Sequence, residues 1–363
     1  MWPYWFMFLV PAFAALSEVR RGGGASLTFE QTRINRAWWI VFSVLTLLIG
    51  YRYQVGADWG NYLHNLESAY FVNDIFEALT DDDPGYRLLE FLAVKFNWGI
   101  FGVNLIGAAI FSYGIAVFCR DLPRPWLALA VAIPYLVMIV AMGYTRQGIA
   151  IGCAMVGLVA LGRQQFIKFL VWVFLAAAFH KSAVLLIPIA GLAAVKRKLF
   201  VGLLAGATTL LAYQLMLEDA VEAFQVNYLE AEYQSEGAFV RLAMNALPAA
   251  VLLLFRRRFA MSLPQEKLWR WFAIISVALF ALYFFSPSST AVDRVGLYML
   301  PLQLVVFSYL PEVFGRASGN NKGLVVAVLA YYATVEFVWL NYATHAFAWI
   351  PYQFYPFVVW FGG

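Results

Sequence analysis

The sequence predicts an all-α polytopic membrane protein, from its composition, the length of its apolar runs and the sorting of its charges. Hydrophobic residues make up 63% of the 363 residues and charged residues only 13%. Apolar runs of membrane length recur from end to end. Such runs cross lipid as helices, because helices satisfy their own backbone polar groups. No soluble linker divides the chain, so we expect one membrane-embedded domain over residues 1–363.

Twelve membrane-spanning helices are predicted from these runs. They cover about residues 1–17, 37–55, 101–119, 126–143, 146–162, 166–180, 182–195, 199–216, 239–255, 269–286, 294–311 and 323–340. The first run has no basic residue before it, so we expect a retained helix rather than a cleaved signal peptide. The runs 166–180 and 182–195 are short for a crossing, and Pro188 interrupts the second, which predicts a broken or re-entrant hairpin.

The basic residues sort into alternate loops, and this sorting gives the predicted orientation. All but seven of the twenty-five Lys and Arg residues fall in loops on one side, and short cytoplasmic loops are the ones that hold such residues. With an even number of spans, both termini are therefore predicted to lie on the outer side. The seven exceptions fall at or near outer helix ends. They are Arg52, Arg87, Lys95, Arg146, Lys181, Arg241 and Arg294.

Two acidic, aromatic segments are predicted to form a cap on the outer side, over residues 56–100 and 217–238. In the first, apolar residues between Tyr86 and Phe96 are interspersed with Arg87, Glu90 and Lys95, which is typical of an amphipathic helix at the outer leaflet. We expect this helix to lie at the membrane surface rather than to span it.

Several function classes are disfavoured by composition. Cys119 and Cys153 lie at a helix end and within a helix, which predicts neither a disulfide nor a cysteine metal cluster. The net charge of +4 is scattered over short loops, which argues against a nucleic-acid partner. The run Asp81, Asp82 and Asp83 is typical of an acidic loop before a helix, with a divalent cation as the alternative. We predict no metal and no other cofactor.

Arg52 lies at the mouth of the second predicted span, in GYRYQVGADWGNY, where Asp58 and Tyr62 follow it. This spacing allows an arginine and a carboxylate to share one pocket. Arg146 and Gln147 lie in MGYTRQGIAIG, at a tight outer turn where the next helix offers free N–H groups and a positive dipole end. These features favour an anion, and we treat all five residues as site candidates.

Arg294 occupies another outer helix start, in SPSSTAVDRVGLYML, where an ion pair with the neighbouring Asp293 is the alternative. Arg241 is a further substrate-binding candidate, although contact with the surface or with lipid headgroups explains it equally, as it explains Arg87 and Lys95. Several arginines around one outer cavity suit a diphosphate, because guanidinium groups bind phosphate oxygens and neutralise a phosphate leaving group.

His180 and Lys181, in FHKSAVLLIP, lie at the apex of the predicted hairpin. A histidine titrates near neutral pH and can act as a general base there, with a capping or lipid-interface role as the alternative. His64 and His345, in outer segments, have weaker claims.

Five short motifs follow one another over most of the chain: Arg52 with VGADWGNY, DPGYRLLEFL, TRQGIAIG, FHKSA and DRVGLYM. In this order, on a background of twelve predicted helices, they resemble the Wzy-like exopolysaccharide polymerases of the EpsG type. The resemblance implies a protein of the bacterial inner membrane with a GT-C-type glycosyltransferase fold. It also implies that oligosaccharide repeat units carried on undecaprenyl diphosphate are joined at the periplasmic face, without a nucleotide sugar or a metal.

The resemblance further implies roles for the candidates. The diphosphate of the growing chain leaves, and a sugar hydroxyl of a new lipid-linked unit attacks. Arg146 acts in catalysis by stabilising the leaving group. By position, the diphosphate ligands are Arg52, Arg146 and Arg294, with Lys181 assisting and either Asp58 or His180 as the base. The implied partners are the lipid-linked donor and acceptor, membrane lipids, a flippase and a chain-length co-polymerase.

Two other functions stay open at this stage. A transporter or flippase of a lipid-linked saccharide would use the same arginines only for binding, but the sequence has no visible inverted repeat and few charges at mid-membrane. A membrane acyltransferase that modifies surface glycans would use His180 as a base, but it needs an acyl donor from the inner side, where the sequence predicts no histidine.

Overall fold

The computed structural model describes residues 1–18, 35–80, 83–193, 237–286, 289–316 and 321–361, with a few helical positions between 199 and 210. In these residues the chain is helical, without a β-strand and with one isolated bridge between Arg52 and Phe354. The α-helices of the described residues, in chain order, are α1 (Trp2–Ser17), α2 (Arg36–Gly50), α3 (Trp59–Ser68), α4 (Ile75–Thr80), α5 (Pro84–Lys95), α6 (Gly99–Arg120), α7 (Pro125–Ala132), α8 (Thr145–Gly162), α9 (Phe166–Phe179), α10 (Ile187–Ala193), α11 (Ala238–Phe255), α12 (Leu263–Tyr283), α13 (Ser289–Leu297), α14 (Pro301–Phe314), α15 (Lys322–Tyr342) and α16 (Tyr355–Phe361).

Four helices of the described chain are long and apolar enough to cross a bilayer: α6, α8, α11 with its 3₁₀ continuation, and α15. α13 and α14, bent by 52° at a short break, together make a fifth candidate. Shorter apolar helices lie at five of the other predicted spans. The all-α architecture is thus confirmed and is compatible with a polytopic membrane protein. The number of spans, the GT-C-type fold and the side of the termini stay predictions, and the predicted segments 199–216 and 217–238 lie largely outside the described residues.

The centre of the fold is a hairpin made of α7, a π-helix (Ile133–Ala141) that continues it, and α8. Residues 127–143 are all buried. A helix that is apolar all round is typical of the core of a large protein or of a membrane span, and this sequence is apolar on every side. The hairpin turns at Tyr144, at the predicted periplasmic end, and Arg146 follows in the first turn of α8. We call this end of the hairpin the mouth.

Glycines allow α6 and α8 to pack closely. A Cβ on Gly152 of α8 would lie 2.7 Å from the Cα of Phe111 in α6, and a Cβ on Gly114 would meet the carbonyl of Gly152. Small residues at such crossings let helix backbones approach in a membrane, where packing replaces the hydrophobic effect as the main force between helices. The position of α8 relative to α6 therefore depends on these two glycines.

At the predicted cytoplasmic end, charged residues are buried. Arg124 is 1% exposed, and its Nε donates a hydrogen bond to Glu312 Oε1 at 2.8 Å while its Nη1 lies 3.4 Å from the carbonyl of Glu18. These contacts join α14 and the end of α1 to the start of α7. The indole rings of Trp38 and Trp126 stack beside them, with centroids 5.1 Å apart. Arg124, predicted as a loop charge, is therefore also an internal packing element.

The predicted short hairpin and the predicted amphipathic helix are both present. α9, a 3₁₀ turn (Lys181–Leu186) and α10 form the short, broken hairpin. α5 is the amphipathic helix, but its polar face differs from the prediction, because Glu90 is fully buried and pairs with Arg87 at 3.0 Å. Arg87 Nη1 also contacts the hydroxyl of Ser68 at 3.2 Å, which ties α5 to α3. Arg87 thus has partners within the protein, which the predicted headgroup contact did not include.

We predict that Gly152→Ala lowers the stability of the folded protein by about 1 to 3 kcal/mol, because the new methyl group meets backbone atoms of α6 that cannot move aside. Gly323→Ala in α15 is the matched control, since a Cβ there meets nothing within 4 Å. The unfolding temperature in detergent can be followed with a thiol-reactive dye, because Cys119 and Cys153 are buried until the fold opens. Equal unfolding temperatures for the two variants would contradict the prediction.

Candidate active site

The carboxylate of Asp83 contacts Arg146 and the neighbouring residues His180 and Lys181, so three distant parts of the chain meet there. Its Oδ2 lies 3.4 Å from Nη1 of Arg146 and 3.7 Å from Nδ1 of His180, and its Oδ1 accepts a hydrogen bond from the backbone N–H of Lys181 at 3.2 Å. The Asp83 carboxylate is 8% exposed, whereas Arg146 is 28% exposed. Arg146 and His180, which the sequence analysis named separately, therefore meet at one buried carboxylate.

The local sequence explains why Asp83 reaches this position. Asp83 has a left-handed backbone conformation with φ of 53°, which aspartate tolerates better than most residues, and Pro84 then starts α5. Gly85 follows, and a Cβ there would lie 3.0 Å from the carbonyl of Ala178 near the end of α9. This close approach of α5 and α9 places Asp83 beside His180, the residue after α9.

The two carboxylates near Arg146 are in different electrostatic environments. Burial raises the pKa of Asp83, but the His180 imidazole, the Lys181 N–H and the Arg146 guanidinium outweigh burial and lower that pKa below its usual value. Burial also raises the pKa of Asp58, and here the Asn61 side chain and the charges of Arg294 and Arg146 do not offset it. Asp83 is thus the more stably ionised of the two.

Two tyrosines of the outer segment line the start of α8. The Arg146 guanidinium carbon lies 5.1 Å from the centroid of the buried Tyr86 ring, and the Tyr86 and Tyr62 rings are 5.8 Å apart. Burial and the Asp58 charge raise the pKa of Tyr62, while the side chain of Thr145 and the backbone N–H of Arg146 oppose them. Tyr62, predicted to bind substrate, is buried at the first turn of α8.

Arg52 is buried beneath this turn, with 1% of its surface exposed. Its guanidinium donates hydrogen bonds to the Ile49 carbonyl at 2.6 Å, the Thr145 hydroxyl at 2.8 Å and Asn104 Oδ1 at 3.3 Å. Within the described residues these partners are neutral, and Asp58 instead accepts a hydrogen bond from Asn61. Arg52 and Asp58, whose spacing allows them to share one pocket, thus have separate partners, and Arg52 holds the start of α8.

A comparison with models of known protein families shows to which family the chain belongs. The model of the EpsG family matches residues 35–354. The chain belongs to the EpsG family. The resemblance predicted from the ordered motifs is thereby confirmed, and the match contains every candidate residue from Arg52 to Arg294. No curated protein and no solved structure matches the chain.

Besides the cluster of Arg146, His180 and Asp83, the EpsG-family match includes two arginines on α11 and α13, Arg241 and Arg294. Arg241 is buried and forms a bidentate ion pair with Asp293, in which Nε lies 2.6 Å from Oδ1 and Nη2 also contacts Oδ2. Surface or headgroup contact, the alternative explanation for Arg241, is wrong because Arg241 is buried. The alternative ion pair between Asp293 and Arg294 is also wrong, because Asp293 pairs with Arg241. The side chain of Arg294 is exposed, and its carbonyl accepts a hydrogen bond from Nε2 of Gln147 at 2.7 Å.

Tyr144 lies directly before α8, and charges from other elements act on its phenol. Burial raises the pKa of Tyr144, Arg241 and Arg294 oppose the rise, and the charges of Asp293 and Asp58 add to it. These charged groups belong to α11, α13 and the residue before α3, and Gln147, next to Arg146, also contacts α13 by donating a hydrogen bond to the Arg294 carbonyl. The sequence analysis missed Tyr144, although its position directly before the predicted helix start at Arg146 was a usable signal.

Other candidates have simpler surroundings. The Lys181 side chain is exposed at the start of the 3₁₀ turn, and the Lys95 ammonium lies 5.6 Å from the Phe91 ring centroid at the end of α5. His64 is exposed and 4.0 Å from Glu67. Among the described residues, no group of three or more His, Cys, Asp or Glu side chains has the arrangement of a metal site. Asp83 directly precedes a helix, as predicted, but it is buried rather than part of a solvated loop. Asp81 and Asp82 lie outside the described residues.

We predict opposite effects of neutralising the two carboxylates. The folded pKa of Asp83 is lowered, so its charge stabilises the fold above the unfolded pKa, and this contribution is lost as the pH falls through the folded value. The folded pKa of Asp58 is raised, so its ionised form is the destabilising one once the pH rises through that value. At pH 7, Asp83→Asn should therefore cost about 1 to 3 kcal/mol, whereas Asp58→Asn should be neutral or stabilising.

Thermal unfolding of both variants in the same detergent at pH 7 checks this prediction. An Asp83→Asn protein as stable as the wild type would show that the buried carboxylate does not hold α5, α8 and the end of α9 together. A larger loss from Asp58→Asn than from Asp83→Asn would reverse the assigned signs.

Proposed function

We propose that this EpsG-family protein joins oligosaccharide repeat units carried on undecaprenyl diphosphate, at the periplasmic face of the bacterial inner membrane. Family membership supports an exopolysaccharide polymerase type of role. The proposal rests on one observation, the meeting of Arg146, His180 and Asp83 at the mouth of the central hairpin. We expect this glycosyl transfer to need neither a nucleotide sugar nor a metal.

In the proposed reaction the diphosphate is the leaving group. The bond between C1 of the donor sugar and the diphosphate oxygen breaks, and the electron pair stays with the diphosphate. Arg146 supports this step, because it is partly exposed beside Asp83 and a guanidinium can bind two phosphate oxygens at once. Arg294 is the proposed second diphosphate ligand, because its side chain is exposed and its backbone carbonyl is bound by Gln147, the neighbour of Arg146. We call the outer space beside the Arg146 and Arg294 side chains the substrate space.

His180 is the proposed general base, in preference to Asp58. The acceptor hydroxyl oxygen attacks C1, and its proton passes to Nε2 of His180. Asp83 faces the other ring nitrogen, Nδ1, at 3.7 Å, so it orients the ring and stabilises the imidazolium that forms. Asp58 is then a neighbouring charge rather than the base.

Arg52 has a positioning role in this proposal. It donates hydrogen bonds to Ile49, Asn104 and Thr145. The bond to Thr145 fixes the residue directly before Arg146. Because all three acceptors are inside the protein, the Arg52 guanidinium does not reach the substrate space. Its buried positive charge also raises the potential at the start of α8, which favours an anion there. Lys181 assists through its exposed ammonium.

The first prediction of this proposal concerns Arg146. Purified protein with lipid-diphosphate-linked repeat units, a chelator and no nucleotide sugar should make a ladder of products, and Arg146→Ala should lower the rate by about 10²- to 10³-fold. Arg163→Ala is the matched control, because Arg163 follows the opposite end of α8, where it pairs with Asp121. A folded wild type that makes no ladder from its native substrate would refute the polymerase, and equal rates for the two variants would remove Arg146 from the mechanism.

The second prediction concerns the base. His180→Gln should lower kcat by about 10²- to 10⁴-fold with a smaller change in KM, because proton transfer is lost while the binding arginines remain. His64→Gln is the control, since His64 is an exposed histidine of the same outer region. If Asp58→Asn abolishes turnover and His180→Gln does not, then Asp58 is the base and the proposed role of the Asp83 and His180 pair is wrong.

One observation favours a second candidate, transport of a lipid-linked saccharide. Glu336 in α15 is fully buried, and neither of its carboxylate oxygens has a hydrogen-bond partner among the described residues. Ionisable side chains inside a membrane are costly and often mark an ion or proton pathway. The sequence analysis gave no role to this residue. A protein that binds the lipid-linked substrate but makes no ladder in the assay above would favour transport.

A further inference from the structure

The short helix α13, which carries Arg294, is held by side chains from two other helices at three positions between residues 293 and 296. Asp293 is paired with Arg241 of α11. The carbonyl of Arg294 accepts a hydrogen bond from Gln147 of α8 at 2.7 Å. The carbonyl of Gly296 accepts one from Nδ2 of Asn245 at 2.8 Å, one turn below Arg241 on α11. The backbone around Arg294 is therefore fixed on both sides while its side chain is exposed.

Asn245 is in turn the end of a buried hydrogen-bonded chain. Nε2 of Gln303 in α14 donates to Asn245 Oδ1 at 2.7 Å, and the hydroxyl of Tyr332 in α15 donates to Gln303 Oε1 at 2.8 Å. All three side chains are buried. In a low-dielectric interior such bonds are strong and have no water to replace them, so each member fixes the next.

We propose that Asn245, Gln303 and Tyr332 are positioning residues, which set the location of the Arg294 guanidinium in the substrate space through the backbone of α13. The inference rests on the proposed function, in which Arg294 binds the diphosphate. Small displacements of a binding group are costly, because the ligand oxygens must meet the guanidinium donors at a defined distance and angle. Residues deep in the bundle thereby determine affinity at its mouth.

The test is a double-mutant cycle on the full-length protein in detergent, with farnesyl diphosphate as the binding probe. Asn245→Ala should weaken binding about tenfold, and the milder Tyr332→Phe about threefold. Neither change should have an effect in a protein that already carries Arg294→Ala, because the positioned group is then absent. Tyr331→Phe is the matched control: Tyr331 also packs on Phe307, and its hydroxyl makes no hydrogen bond among the described residues.

A second readout reports on α13 without any ligand. Hydrogen–deuterium exchange over residues 289–297 should be faster in Asn245→Ala and in Tyr332→Phe than in Tyr331→Phe. Tyr332→Phe keeps the ring and removes only the hydroxyl, so it supplies a result even if the Asn245 variant does not fold. Unchanged exchange over this segment in Tyr332→Phe would overturn the inference.

The binding outcomes separate the two proposals. Suppose that Arg294→Ala weakens farnesyl diphosphate binding, but that Tyr332→Phe weakens binding equally in the wild-type protein and in the Arg294→Ala protein. The positioning inference is then wrong and the proposed function stands. If Arg294→Ala leaves farnesyl diphosphate binding unchanged, the role of Arg294 in the proposed function falls, and the inference falls with it.

Discussion

The buried carboxylate of Asp83 needs opposite charge and N–H donors around it, because an ionised group removed from water is otherwise strongly destabilising. Here the donors come from α8, the end of α9 and the 3₁₀ turn after it. The entry into α5, the turn before α8 and the apex of the short hairpin are therefore mutually dependent. None of them can move away without leaving a charge uncompensated, and that dependence holds Arg146 and His180 at a fixed separation.

The three candidate arginines of the mouth differ in depth, and depth separates their roles. Arg52 is fully buried and donates three hydrogen bonds to neutral acceptors. Arg146 is partly exposed and shares its charge with Asp83. The side chain of Arg294 is exposed, and its backbone carbonyl accepts a hydrogen bond from Gln147. In the proposed function, a ligand that approaches from the predicted periplasmic side meets the last two, while the first sets the position and potential of the helix start beneath them.

The sequence was sufficient to predict the helical membrane class, the broken hairpin and the family, because apolar length, charge sorting and motif order are properties of the chain itself. It was not sufficient for partners set by tertiary packing. Asp83 was taken for part of a solvated acidic run, since nothing local shows that α9 covers it. An ion pair of Arg294 with Asp293 was the alternative to its binding role. Successive residues of a helix point about 100° apart, however, and Arg241 of another helix pairs with the Asp293 carboxylate.

The buried polar contacts of α11 also bear on the choice between transfer and transport. Alternating access requires one group of helices to rock against another around a bound substrate. The chain from Gly296 through Asn245 and Gln303 to Tyr332 links α13, α11, α14 and α15 within the bundle. Breaking these bonds in lipid leaves polar groups with no water to pair with, so rocking at these interfaces is costly. A fixed site into which both lipid-linked substrates diffuse from the membrane interface fits this rigidity better, and fixed guanidinium groups are what a departing diphosphate requires.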